Sequence, residues 1–197
     1  IFSDYFPQKE YSFGIFDAGE KPNYPIEEFF LDTPVNNFRD NQLFPARAEG
    51  FLAPAIDRAV KIMKETTEGD ILIFVTGQGD GVLGCTMLTN KVKDENKKNK
   101  TIMEKTLLCD ILHANTDDEL KKLLTKGDIY KQEKHKNSQL NYTRKVIFAT
   151  EVAESSVTID GIDFVIDIGL ANTSIYYSDR NMNSLEKRYV SKASHKQ

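Results

Sequence analysis

The chain has 197 residues, 28% of them charged and 40% hydrophobic, and a formal net charge of −4. That length matches about one domain, and with only 11 Gly and 6 Pro the composition excludes a collagen-like or wholly disordered chain. Lys plus Arg total 26 against 30 Asp plus Glu, which excludes a polycation that coats nucleic acid by bulk charge. The charge is uneven, however. Residues 1–70 carry 7 basic and 13 acidic side chains, whereas residues 91–145 carry 14 basic and 9 acidic. No apolar run approaches the roughly 18 residues of a membrane span. The start, Ile1-Phe2-Ser3-Asp4, has neither the basic lead nor the apolar centre of a signal peptide. It also lacks an initiator Met, so the chain is expected to be a piece of a longer one.

Residues 1–22 mix aromatics with Pro7, Gly14, Gly19 and Pro22 and read as connecting chain. Phe29-Phe30-Leu31 is a candidate strand. From Phe51 to Lys64 the apolar residues Leu52, Ile56, Ala59, Val60 and Met63 fall on one face of a 3.6-residue period, which predicts an amphipathic helix with Pro54 tolerable in its first turn. Ile71 to Val75 is a continuous apolar run with no wet face, the pattern of a strand covered on both sides. A short helix over Val82 to Asn90 follows, then a charged, Lys-rich insertion at 91–105 that reads either as a solvated surface or as a local phosphate-contacting patch. Thr106 to Ile111 is the next strand. Thr116, with Glu119 three residues on, predicts a capped helix start, and residues 126–143 read as charged loop. Val146 to Ala149 and Phe164 to Ile168 are strands. Strands alternating with helices predict an α/β fold with a parallel sheet. At the end, two strand-like runs flank the polar turn Ser178 to Asn183, which predicts a β-hairpin over 174–190.

Cys85 and Cys109 each lie in or beside an apolar segment, which predicts buried free thiols and a reducing compartment, the nucleus or the cytoplasm. With His113, His135 and His195 they do not fall at zinc-ligand spacing, and no metal site is expected.

Gly79, Gly81 and Gly84 match the dinucleotide fingerprint GxGxxG after a strand. Against that reading, three residues separate strand and first glycine, and the Lys-rich run occupies the place of the expected ribose-binding acid. The alternatives are a phosphate-contacting turn at Thr76-Gly77-Gln78 and a plain turn. No Gly-x-x-x-x-Gly-Lys-Ser/Thr occurs in the sequence, so a P-loop of its own is excluded. Asp167 at a strand end therefore reads as a strand-terminal acid, not a magnesium ligand. The polar run from Thr150 to Asp163 lies between two apolar strands and is expected as a long turn at one edge of the sheet. Its hydroxyls (Thr150, Ser155, Ser156, Thr158) and backbone N–H groups suit a nucleic-acid phosphate, and the Asp160 carboxylate suits a sugar hydroxyl. Ordinary helix capping is the plainer reading.

The run Ala149-Thr150-Glu151-Val152-Ala153-Glu154-Ser155-Ser156-Val157-Thr158-Ile159-Asp160-Gly161-Ile162 resembles motif V of the DEAH-box RNA helicases, roughly A-T-N-I-A-E-T-S-L-T-I-D-G-I. Gly69-Asp70-Ile71-Leu72-Ile73-Phe74-Val75-Thr76-Gly77-Gln78 is similar to that family's motif IV. The tail from Ser191 to Gln197 resembles the approach to motif VI, Q-R-x-G-R-x-G-R, as far as its first Gln. The order is that of the family. The resemblance implies a three-layer RecA-like domain with a mostly parallel central sheet and a C-terminal β-hairpin, the second of two in tandem. Residues 1–24 would be linker from the preceding domain, and 25–197 the second domain.

It further implies that Thr76, Gly77, Gln78, Thr150 and Ser156 hold the backbone of single-stranded RNA, and that Thr158, Asp160 and Gln197 face the nucleotide. ATP with Mg would sit between this domain and the missing N-terminal RecA-like domain, with an activating protein as a further conceivable partner. The chain itself would hold no catalytic residue and be inactive alone. The hairpin would part strands as RNA is pulled through. Departures are Glu151 where the family has Asn, Gly79-Asp80-Gly81 after the Thr-Gly-Gln, and no clear adenine-stacking aromatic, for which Tyr130 is the candidate. The alternatives from other classes are a non-catalytic, helicase-like RNA-binding or scaffold module, and a dinucleotide-binding enzyme domain.

Overall fold

The computed structural model describes residues 25–31, 48–99, 105–150 and 157–191. The chain divides into two compact units, Ile1–Pro34 and Val35–Gln197. Of the first, the described residues 25–31 carry no helix or strand. The expected strand at Phe29-Phe30-Leu31 is therefore not formed, and all three side chains are exposed.

The second unit is built on a four-stranded parallel sheet in the order β2-β3-β1-β4, with β1 at Asp70–Phe74, β2 at Leu107–Leu112, β3 at Arg144–Ala149 and β4 at Ile162–Asp167. The central strands β1 and β3 are the two with near-continuous burial, as an apolar run without alternation requires. Alternate residues feed opposite layers. Ile71, Ile73, Val146 and Phe148 join one buried cluster with helices α1 (Ala48–Glu65) and α2 (Gln78–Asn99). Leu72, Ile147 and Ala149 join the other with helix α3 (Asp118–Thr125) and the 3₁₀ turn Ile129–Gln132. The result is a three-layer α/β arrangement, the layering that the resemblance to a RecA-like domain implies. On α1, Leu52, Ile56, Ala59, Val60 and Met63 are all buried; each large one contributes roughly 1.5–3 kcal/mol.

Strand β4 lies at the sheet margin and alternates half-buried with exposed residues; Val165 is 60% exposed. The expectation that the 150–161 run turns at one edge is corrected by this topology. Strands β3 and β4 are parallel with β1 between them. The run must therefore cross from the carboxyl edge of the sheet to its amino edge.

Helix α2 continues to Asn99, well past the short helix expected to end at Asn90, so residues 91–99 of the expected insertion are helical; residues 100–104 lie outside the described residues. Its Lys-rich end is held by Lys91 to Asp57 and Lys64 to Glu95 across to α1. The cap of α3 falls one residue later than expected. The Asp117 carboxylate accepts the N–H groups of Glu119 (2.9 Å) and Leu120 (3.3 Å), while the Thr116 hydroxyl turns back to the Ile111 carbonyl and accepts the His113 N–H. Helix α1 begins at Ala48, so Pro54 lies inside it and not in its first turn. The run 126–143 also carries the 3₁₀ turn and a bridge between Lys134 and Asn141.

Cys85 on α2 and Cys109 on β2 are joined in a disulfide, with Cα atoms 5.8 Å apart. The expected free thiols are corrected, and the expectation of a reducing compartment loses its premise. Strands β5 (Leu170–Tyr177) and β6 (Met182–Tyr189) form the expected hairpin as a separate antiparallel pair. Among the described residues no helix is long and apolar enough to cross a membrane.

Candidate nucleic-acid interface at the carboxyl edge of the sheet

Parallel α/β sheets present loops and helix starts where their strands end. Here β1 ends against β3, with the Val75 N–H donating to the Ala149 carbonyl at 2.8 Å. Thr76 and Gly77 then turn the chain into α2 at Gln78. Thr150 follows β3 at the same edge, and its N–H donates to the carbonyl of Leu112 at the end of β2 (3.3 Å). The structure thus brings Thr76, Gly77, Gln78 and Thr150 together. Ser156 and Gln197 lie outside the described residues.

Within the turn the roles divide. Thr76 is buried; its hydroxyl donates to the Asp80 carboxylate, and its carbonyl accepts from Asn172 Nδ2 at 2.7 Å. Thr76 therefore braces the turn from inside. Gln78 is exposed and Gly77 half-buried, so these two are the part of the turn open to solvent at the positive end of α2. A Cβ on Gly77 would sit 3.4 Å from Asn172 Nδ2, tighter than most such contacts.

The hairpin roofs this turn. Residues paired across it share a face, and Asn172 pairs with Lys187. Lys187 Nζ reaches both Asp80 oxygens, at 3.0 and 2.7 Å, and lies 4.6 Å from the Phe51 ring centroid. Further out on the same face, Tyr176 and Leu185 are 58% and 69% exposed.

The glycine pattern resolves differently from a dinucleotide site. A Cβ on Gly81 would meet Ile111 at 2.9 Å, and one on Gly84 would meet the Phe148 ring at 2.4 Å. Both glycines let α2 press onto the sheet. Gly81, which would have to admit a pyrophosphate, instead faces side chains.

Thr158 and Asp160 sit at the opposite, amino edge, both exposed. Asp160 is clamped through its backbone: its N–H donates to the Thr125 carbonyl (2.9 Å) and its carbonyl accepts from Lys145 Nζ (3.2 Å). Lys145 is fully buried and also donates to the Gly127 carbonyl at 3.1 Å. Asp70 Oδ2 lies 3.6 Å from Lys145 Nζ. Tyr130 is 1% exposed and its hydroxyl donates to Asp70 Oδ1 at 2.8 Å; burial and that carboxylate push its phenol pKa upward. A ring so buried cannot stack on adenine, which corrects that candidacy. Beside it opens a cleft of about 350 Å³ lined by Glu68, Asp70, Asp128, Asp163 and Lys131 among others, a lining that repels polyphosphate. Among the described residues, the Thr158 and Asp160 side chains are the exposed polar groups that the chain presents just before β4. Asp167 accepts the Gly169 N–H at 2.8 Å, a local turn contact.

Sequence reasoning missed Asn172, Lys187, Asp70 and Lys145. One signal was present: Arg144 and Lys145 open β3, the strand buried along its whole length, where two charges need buried partners.

No family model matches the chain. It is 27% identical over 180 residues to a protein of Acanthamoeba polyphaga mimivirus, L540, named as an ATP-dependent RNA helicase, covering 91% of this chain and 21% of that protein. It is 32% identical over 145 residues to the DHX35 homolog of Caenorhabditis elegans, also named as an ATP-dependent RNA helicase, covering 73% of this chain and 17% of that protein. Among solved structures it is similar to the E. coli DExH-box NTPase HrpB, with 19% identity, a TM-score of 0.49, and coverage of 80% of this chain and 16% of that one. The chain spans about a fifth of the length of the curated relatives it matches. With motif-like segments in the family's order along a parallel α/β sheet, and relatives named as RNA helicases over most of its length, the chain is similar to a domain-sized segment of the DEAH-box RNA helicases.

Proposed function

We propose that the chain is the second RecA-like domain of an ATP-dependent RNA helicase, contributing RNA-backbone contacts and one wall of the ATP site. The observation that carries this is the meeting of the Thr-Gly-Gln turn and Thr150 at one sheet edge under the hairpin. Neutral hydroxyls, an amide side chain and helix-start N–H groups recognise phosphodiester oxygens without reading base sequence. A net charge of −4 accords with a grip made at a few positions. Both relatives named above are described as ATP-dependent RNA helicases, which supports RNA and ATP as ligands.

ATP with Mg, when bound, supplies the free energy of closing one domain on the other. This chain's part is to present Thr158 and Asp160 toward the ribose; the phosphates would be held by a P-loop domain, since none is encoded here. The chain alone is therefore inactive in hydrolysis, and the hairpin would serve to part the strands.

Thr150→Ala in the full-length protein is expected to weaken binding of a fluorescein-labelled oligouridylate by about 1 kcal/mol, the rough worth of one hydrogen bond. Fluorescence anisotropy measures it. Unchanged affinity with an intact fold would count against the assignment of this edge.

A further inference from the structure

The ion pair between hairpin and turn has a consequence for ligand binding. Asp80 lies in the first turn of α2, two residues after Gln78, where a bare carboxylate would oppose any phosphate arriving at Gly77 and Gln78. Both of its oxygens are engaged: Lys187 contacts both and the Thr76 hydroxyl donates to one. The two side chains are only 11% and 23% exposed, so water screens the charge poorly and the lysine is its neutraliser. Lys187 is carried by β6, whose partner β5 bonds the Thr76 carbonyl through Asn172. The neutralising charge therefore arrives with the hairpin.

We propose that Lys187 is a positioning residue that cancels the Asp80 charge, so that the turn after β1 accepts nucleic-acid phosphate only while the hairpin is seated. Lifting the hairpin uncovers Asp80 and expels the phosphate; by linkage, a bound phosphate holds the hairpin down. This rests on the reading of the turn as a phosphate contact.

Charge rescue in the full-length protein, with labelled oligouridylate as the probe, tests it. Lys187→Met is expected to weaken binding about tenfold, within what an uncancelled like charge at short range exerts. Adding Asp80→Asn to Lys187→Met should return the affinity to within about twofold of wild type, and Asp80→Asn alone should not weaken it. A pair that serves only to hold the fold would behave otherwise, with either single substitution weakening binding alike. That result, or an unchanged affinity of Lys187→Met, overturns the proposal while Thr150→Ala still weakens binding. If Thr150→Ala is also without effect, the reading of the edge falls and the proposal falls with it.

Discussion

Lys145→Met is expected to lower the stability of the chain by about 3–5 kcal/mol, the usual cost of removing one partner from a buried charged pair. Lys145 has no solvent exposure, yet its ammonium meets Asp70 and the carbonyls of Gly127 and Asp160 and lies 5.0 Å from the Tyr130 ring centroid. Methionine keeps the apolar stem and removes all of these contacts. Asp70 would retain the Lys145 N–H and the Tyr130 hydroxyl as donors but no cation on its inner oxygen. Two carbonyls would lose a donor. Urea unfolding measures the loss, with Lys145→Met/Asp70→Asn as control: removing both charges should cost less than removing one. A loss under about 1 kcal/mol would show that the buried pair does not hold this edge together. Asp160 depends on the same group, since the carbonyl bonded by Lys145 fixes the start of β4.

Gly84→Ala is expected to destabilise by about 1–3 kcal/mol through overpacking, although helix propensity alone would favour alanine by about 1 kcal/mol. The two effects have opposite signs, so the sign of the result decides between them. A methyl group at Gly84 would come within 2.4 Å of Phe148 Cε1 and 2.9 Å of two further ring atoms, and the ring is fully buried in the sheet. Gly79, two positions into the same helix, has open space around its Cβ position, and Gly79→Ala should be neutral or slightly stabilising. In a Phe148→Leu background the cost of Gly84→Ala should shrink, because the side chains share one space. Thermal unfolding of the four variants measures this. A stabilising Gly84→Ala would mean that α2 does not press on Phe148.

The layers of the fold were legible because β1 and β3 are apolar on both faces and α1 repeats its apolar residues at helical spacing. The hairpin was legible from its polar turn. What could not be read follows from the kind of signal each feature leaves. Helix α2 runs to Asn99 through a segment with little apolar periodicity, where i,i+3 pairs such as Lys97 with Asp94 and ion pairs to α1 lend support. Asp117 caps α3 instead of Thr116 because Thr116 is taken by the end of β2. The position of β4 at the sheet margin is topology, which strand composition does not encode. Tyr130 lies in a charged stretch, and nothing local shows that it folds inward onto Asp70, 60 positions away. The site divides the same way. The Thr-Gly-Gln turn and Thr150 carry motif-like surroundings, while Lys187 and Asn172 act on the turn from a hairpin whose sequence has none.

The central claim is that the carboxyl edge of the sheet receives a nucleic-acid backbone. Backbone amide shifts of the ¹⁵N-labelled chain, followed while unlabelled oligouridylate is added, test it most directly. The account predicts that Gly77, Gln78 and Thr150 shift together and saturate at one affinity, while Thr125, Gly127 and Gly161 at the amino edge stay in place. Shifts confined to the amino edge, or none at Gly77, Gln78 and Thr150 at a ligand concentration that saturates the full-length protein, would contradict it.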